Sequence, residues 1–161
     1  MAKSNFFKDN QSLIFGGVLL YLINDVVLSP LLENLGLKKS KAEVNILAEN
    51  SNVTSPWNPQ FWASSPRGAL ILTDSAASNF VEQIWGSVGY FNDDFELVLS
   101  IFKQLKTQSQ VSYLVKKFSD IKGKDLLTWL VGGNIFSYPA DRFSAEEVQQ
   151  LVNYVNNLKK Y

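Results

Sequence analysis

Residues 93–118 read DDFELVLSIFKQLKTQSQVSYLVKKF, and this stretch decides the fold. Phe95, Val98, Leu99, Phe102 and Leu105 recur at spacings of three and four. That spacing lays them on one face of an α-helix, whereas in a strand alternate residues would share a face. Asn92 or Asp93 can open this helix, and Asp93, Asp94 and Glu96 in its first turn oppose the positive end of the helix dipole. Thr107 with Gln110 forms a capping-box pattern that opens a further helix, one that buries Val111, Leu114, Val115 and Phe118. Gly123 stops it.

The same punctuation extends in both directions. Upstream, Asp74 or Ser75 caps a helix running to about Trp85, with Phe80, Val81, Ile84 and Trp85 on its buried side and Gly86 and Gly89 beyond its end. Downstream, Asp125 to Val131 makes a short helix halted by Gly132 and Gly133. Ser144 with Glu147 then opens a last helix carrying Val148, Leu151, Val152, Val155 and Leu158. Ala69 to Leu72 is the one run that alternates like a strand, and it is too short to carry a sheet. Five short helices over 73–161 therefore make a small all-α domain with its own modest core.

Ahead of that domain, residues 42–72 read as a connector. Pro56, Pro59 and Pro66 interrupt regular structure, and Asn50, Ser51, Asn52, Thr54 and Ser55 favour turns. Trp57, Phe61 and Trp62 are too apolar for a free linker and are expected to pack onto the domain. Asn52-Val53-Thr54 matches the N-glycosylation acceptor, a triplet common by chance.

Residues 13–32, LIFGGVLLYLINDVVLSPLL, have a different character. As a helix they span about 30 Å, the thickness of a bilayer's hydrocarbon core. Lys3 and Lys8 precede them and Lys38, Lys39 and Lys41 follow, which suits lipid headgroups. Asp25 near the centre opposes insertion by about 2.5–3.5 kcal/mol. On a helical wheel, however, Gly17, Tyr21, Asn24, Asp25 and Ser29 gather along one stripe. Small and polar residues on one side of an otherwise aliphatic helix suit packing against another helix, where Asn and Asp find partners. The expectation is an N-terminal hydrophobic, transmembrane helix within residues 1–41, with the lipid bilayer as its partner. The alternative is a soluble helical adaptor or assembly protein whose N-terminal helix is buried in protein. A cleaved secretory signal is not expected, because no small-x-small site follows the apolar run.

Composition narrows the chemistry. The chain has 161 residues, with 15 Lys and Arg against 15 Asp and Glu, and neither His nor Cys. A formally neutral chain lacks the basic face that gathers a nucleic-acid backbone, so no nucleic-acid partner is expected. Without His or Cys, the Ser-His-Asp, Cys-His and His-metal chemistries are closed to it. Carboxylate mechanisms remain formally available. The pairs Asp93 with Glu96 and Glu146 with Glu147 each lie in a helix's first turn, where dipole complementation already accounts for them. Asp74 and Glu82 are the other acids near Trp85. The reading is non-enzymatic, with no cofactor.

Residues 86–130, GSVGYFNDDFELVLSIFKQLKTQSQVSYLVKKFSDIKGKDLLTWL, resemble a single annexin repeat. Gly86 and Gly89 match its Gly-rich loop and Asp93 and Asp94 its acidic pair. Thr107 to Phe118 match its third helix, and Gly123-Lys124-Asp125-Leu126 its turn. The resemblance covers under a third of the chain. Single-copy stretches of this kind occur in proteins of Bacteroidetes bacteria and their phages. The resemblance implies a helical fold and a phage setting, in which a minor protein of a membrane-containing virion would contact capsid or assembly subunits or further copies of itself. It also makes Asp93 and Asp94 weak calcium candidates. The chain departs from the annexin calcium pattern in two ways: Tyr90, Phe91 and Asn92 lengthen the loop, and Leu-Leu-Thr-Trp-Leu-Val follows Asp125 without the downstream carboxylate that calcium's six to eight oxygens call for.

Overall fold

A computed structural model of the chain describes residues 39–67, 69–88, 93–132 and 143–161. The stripe of Gly17, Tyr21, Asn24, Asp25 and Ser29 lies outside these residues. Lys39–Tyr161 is one compact unit. The described residues hold six α-helices and no strand: α1 Lys41–Glu49, α2 Asp74–Gly86, α3 Phe95–Gln104, α4 Gln108–Lys122, α5 Leu126–Val131 and α6 Ala145–Asn156. A 3₁₀ turn, Phe61–Ser64, sits between α1 and α2.

α4 is the hub of the bundle. It packs against α2, α5, α6 and the 3₁₀ turn, while α1 rests on α5 and α6. Val111, Leu114, Val115 and Phe118 on α4 are all fully buried, as are Val98 and Phe102 on α3. Ile101, absent from the stripe read in the sequence, is equally buried. α3 therefore inserts a wider face than one row, because it is covered by both α2 and α6.

Helix starts follow capping chemistry, at α2 and α3 shifted by a residue or two from the sequence reading. The cap of α2 is Thr73, whose hydroxyl accepts from Ala76 N at 3.3 Å, and not Asp74 or Ser75. The cap of α3 is Asp94, which accepts from Leu97 N at 2.9 Å, and not Asn92 or Asp93. Ser144 and Glu147 form the full reciprocal box at α6. At α4 the box is only half made: Thr107 accepts from Gln110 N, but the Gln110 amide reaches one residue further back, to Lys106 N at 2.7 Å. The remaining first-turn donors of α4 are satisfied from a distance. The carbonyls of Lys159 and Lys160 accept from Gln108 N and Ser109 N at 2.8 and 3.3 Å, tying the C-terminal tail across the start of the central helix. At the other end, Gly123 takes the left-handed conformation (φ 65°) and ends the helix.

Two expectations are corrected here. The connector expected over 42–72 begins with α1, which has its own capping box: Ser40 accepts from Glu43 N at 3.2 Å and Glu43 returns the bond to Ser40 N at 2.6 Å. The compact unit accordingly begins at Lys39 and not at Thr73. Trp85, placed on the buried side of α2, is 37% exposed. The buried line of that helix runs Ala77, Val81, Ile84, and Trp85 stands one step round it, laying its ring on Trp129 at 5.3 Å.

Trp57 and Phe61 are buried as expected, at 2% and 4% exposure, and Trp62 meets Tyr113 edge-on at 5.2 Å. What holds this segment is polar as well as apolar. Ser112 on α4 is fully buried; its hydroxyl donates to Asn58 O at 2.6 Å and accepts from Trp62 N at 3.0 Å. One turn earlier, Ser109 bonds Ser65 at 2.6 Å and donates to Lys160 O at 3.1 Å. Replacing Ser112 by Ala removes the hydroxyl that accepts from Trp62 N and one of two donors to the Asn58 carbonyl, which keeps Phe61 N at 3.2 Å. Ser112→Ala should lower the unfolding free energy by about 1–3 kcal/mol, read as a lower urea midpoint at unchanged slope.

Candidate functional site

The surface features of residues 39–161 are a polar groove, a charged face and an aromatic corner. The groove, about 660 Å³, runs between α1 and α6. α1 contributes Asn45 and Glu49 and α6 contributes Glu146, Gln149 and Asn153, over a floor that includes Ile46. Two short amphipathic helices meet through their apolar residues and leave amide and carboxylate side chains along both rims. Among the described residues no lysine or arginine lines the groove. Its rims offer amide and carboxylate oxygens as hydrogen-bond acceptors.

The charged face lies across α2 and α4. Asp74 receives Lys117 Nζ at 2.6 Å and the Tyr113 hydroxyl at 3.1 Å, and Glu82 receives Lys122 Nζ at 2.8 Å. The Lys117 ammonium, followed by the Tyr113 hydroxyl, holds the Asp74 carboxyl below its ordinary value. The same pairing holds Lys117 above its own. A carboxyl whose folded value is depressed stabilises the fold above its unfolded pKa, near 3.9, and loses that contribution as pH falls through the folded value. Wild type should therefore be more stable than Asp74→Asn at pH 7, and urea titrations should show the difference shrinking below about pH 4.

Of the acids read as chemical candidates, Asp74, Glu82, Asp93, Asp94 and Glu147 lie at contacts that hold the fold. Asp94 caps α3, and its own amide donates to Ser87 O at 2.7 Å. Asp93 makes an isolated antiparallel bridge with Val88, so the acidic pair closes the loop between α2 and α3. Glu147 completes its capping box, and Asp74 and Glu82 serve the ion pairs above. Among the described residues no group of three or more acidic side chains is placed to hold a metal ion.

At the aromatic corner, Trp85 stacks on Trp129, with Phe118 tilted against both. Lys122 and Lys124 place their ammonium groups 5.1 and 5.7 Å from the Trp85 ring centre. Such cation–π contacts contribute roughly 0.5–1 kcal/mol at exposed sites and cover a ring that would otherwise meet water. Sequence reasoning had no means of finding the groove or this corner, since both join residues from distant helices.

These features sit on a small bundle of α-helices. No family model, curated protein or solved structure matches the chain.

Proposed function

We propose that the chain is a membrane-anchored structural and interaction protein. Residues 13–32 are its anchor and residues 39–161 its contact-bearing unit. The observation that carries this reading is the 20-residue apolar run with lysines on both sides, followed at once by a separate compact unit. No helix among the described residues is long and apolar enough to cross a membrane, and the run itself lies outside them. The groove between α1 and α6 supports the interaction half of the reading, with a protein partner that presents hydrogen-bonding or basic side chains. In its finer form, drawn from the annexin-like wording of residues 86–130, the protein is a minor component of a phage virion containing a lipid layer.

Flotation tests the anchor. The full chain should rise with phosphatidylcholine vesicles through a density gradient, and a 39–161 fragment should stay at the bottom. A full chain that remains with the fragment makes this the soluble adaptor, its apolar run covered by protein.

A further inference from the structure

The chain is formally neutral, yet its charge is not spread evenly over residues 39–161. α1 and α6, the two helices that form the groove, carry Glu43, Glu49, Glu146 and Glu147 against Lys41 alone. Glu43 and Glu147 are taken up by the capping boxes of their own helices. Glu49 and Glu146 line the groove, one from each helix, and among the described residues neither has an ion-pair partner. Glu49 also runs against its own helix: it lies in the last turn of α1, the negative end of the helix dipole, where no basic residue offsets it. A carboxylate placed where the local rule opposes it points to a use outside the fold.

The opposite charge collects where the C-terminal tail crosses the start of α4. Lys159 bridges to Thr107, the residue after Lys106, and Lys103 lies in the last turn of α3 just before. All three lysines are exposed and, among the described residues, none has an ion-pair partner. Lys116, Lys117 and Lys122 on α4 are by contrast paired within the unit. No acidic residue occurs between Leu97 and Ser119 or after Glu147, in the segments that build this patch. Glu146 is in the first turn of α6 and Lys159 lies beyond its last, and a helix of 12 residues is about 18 Å long. The Debye length at physiological salt is about 8 Å, so these two charges do not neutralise each other within one unit.

We propose that the groove of one copy takes the Lys103, Lys106 and Lys159 patch of a second copy, so that the units associate head to tail. The inference rests on the interaction half of the function proposed above and names its partner. The groove supplies what the patch lacks. Besides the two carboxylates, Gln149 Nε2 donates to Asn153 Oδ1 at 2.9 Å, which leaves the Gln149 carbonyl oxygen as an acceptor for an ammonium group. Ala42 and Ala145 in its lining are small enough to leave room for a lysine's apolar stem. Groove and patch are different surfaces, so the contact is heterologous. Each copy uses its groove on one neighbour and its patch on another, which builds a ring or an open row.

The test uses the full chain in a non-ionic detergent. It has no cysteine, so Val53→Cys, at a position 74% exposed, gives a single attachment point for a donor or an acceptor dye. Energy transfer between donor- and acceptor-labelled copies should fall about fivefold between about 50 and 500 mM sodium chloride. Glu49→Lys with Glu146→Lys should abolish it, and so should Lys106→Glu with Lys159→Glu. An equimolar mixture of these two double variants should restore it, because each offers the other the opposite charge. Glu49→Gln with Glu146→Gln, which keeps side-chain shape, should weaken association about tenfold at an unchanged urea midpoint. Transfer that ignores salt and every variant overturns the proposal, since the copies then meet through other surfaces. A mixture without transfer overturns it too, and oligolysine then separates the two readings. If oligolysine binds wild type but not Glu49→Lys with Glu146→Lys, the groove serves a different basic partner; if it binds neither, the interaction reading of the groove fails as well.

Discussion

A fragment of residues 39–161 should unfold cooperatively in urea, whereas a fragment beginning at Thr73 should show no cooperative transition. The shorter piece retains five of the six α-helices, including the five capping side chains at α2, α3, α4, α5 and α6. It loses Ile46, Trp57 and Phe61, each less than 5% exposed. Burying a large apolar side chain contributes roughly 1.5–3 kcal/mol, so three of them approach the whole stability of a small domain, about 5–15 kcal/mol. The truncation also uncovers Ser109 and Ser112, whose partners Ser65, Asn58 and Trp62 depart with the segment. Circular dichroism should still register helix, because local propensity and caps survive, while the unfolding curve should be broad. A sharp transition for the 73–161 fragment would show that α1 and the segment after it are accessory.

Phe102→Ala should be the most damaging single substitution among the aromatic residues of α3, lowering stability by about 3–5 kcal/mol. Phe102 is fully buried and touches the Trp57 ring, so truncation opens a void at the joint between α3 and the segment that follows α1. Because aromatic pairs contribute beyond the area they bury, a double-mutant cycle with Trp57→Phe should give a coupling above about 0.5 kcal/mol. Leu70→Ala supplies the contrast. Leu70 is 63% exposed, and its loss should stay within about 0.5 kcal/mol of wild type. Equal effects at the two positions would mean that the core does not lie where the burial of Phe102 puts it.

The two expected results test different kinds of knowledge. The stripes Val98, Leu99, Phe102 and Val111, Leu114, Val115, Phe118 were legible because a helix that buries one face must repeat at three and four, whatever it packs against. The caps at Thr107 and Ser144, and the stop at Gly123, were legible for the same reason: unpaired end groups of a helix call for particular side chains close by in the chain. α1 carried that signal too, in Ser40 and Glu43, but surrounding turn formers and only Ile46 and Leu47 as inward apolar residues masked it.

Local chemistry, then, is what residues alone determined here: that the described part is helical, where most of its helices start and stop, and which faces turn inward. Tertiary structure decided everything that needs two distant segments at once. It brought Ser109 and Ser112 to the backbone of residues 58–65, laid the C-terminal carbonyls over the start of α4, paired Asp74 with Lys117, turned Trp85 outward onto Trp129, and opened a groove between α1 and α6. The division has a physical cause. Backbone hydrogen bonding and helix periodicity act over a few residues, so a short stretch contains its own answer. Burial and ion pairing depend on which surfaces come to face each other, and that follows only when the whole chain collapses.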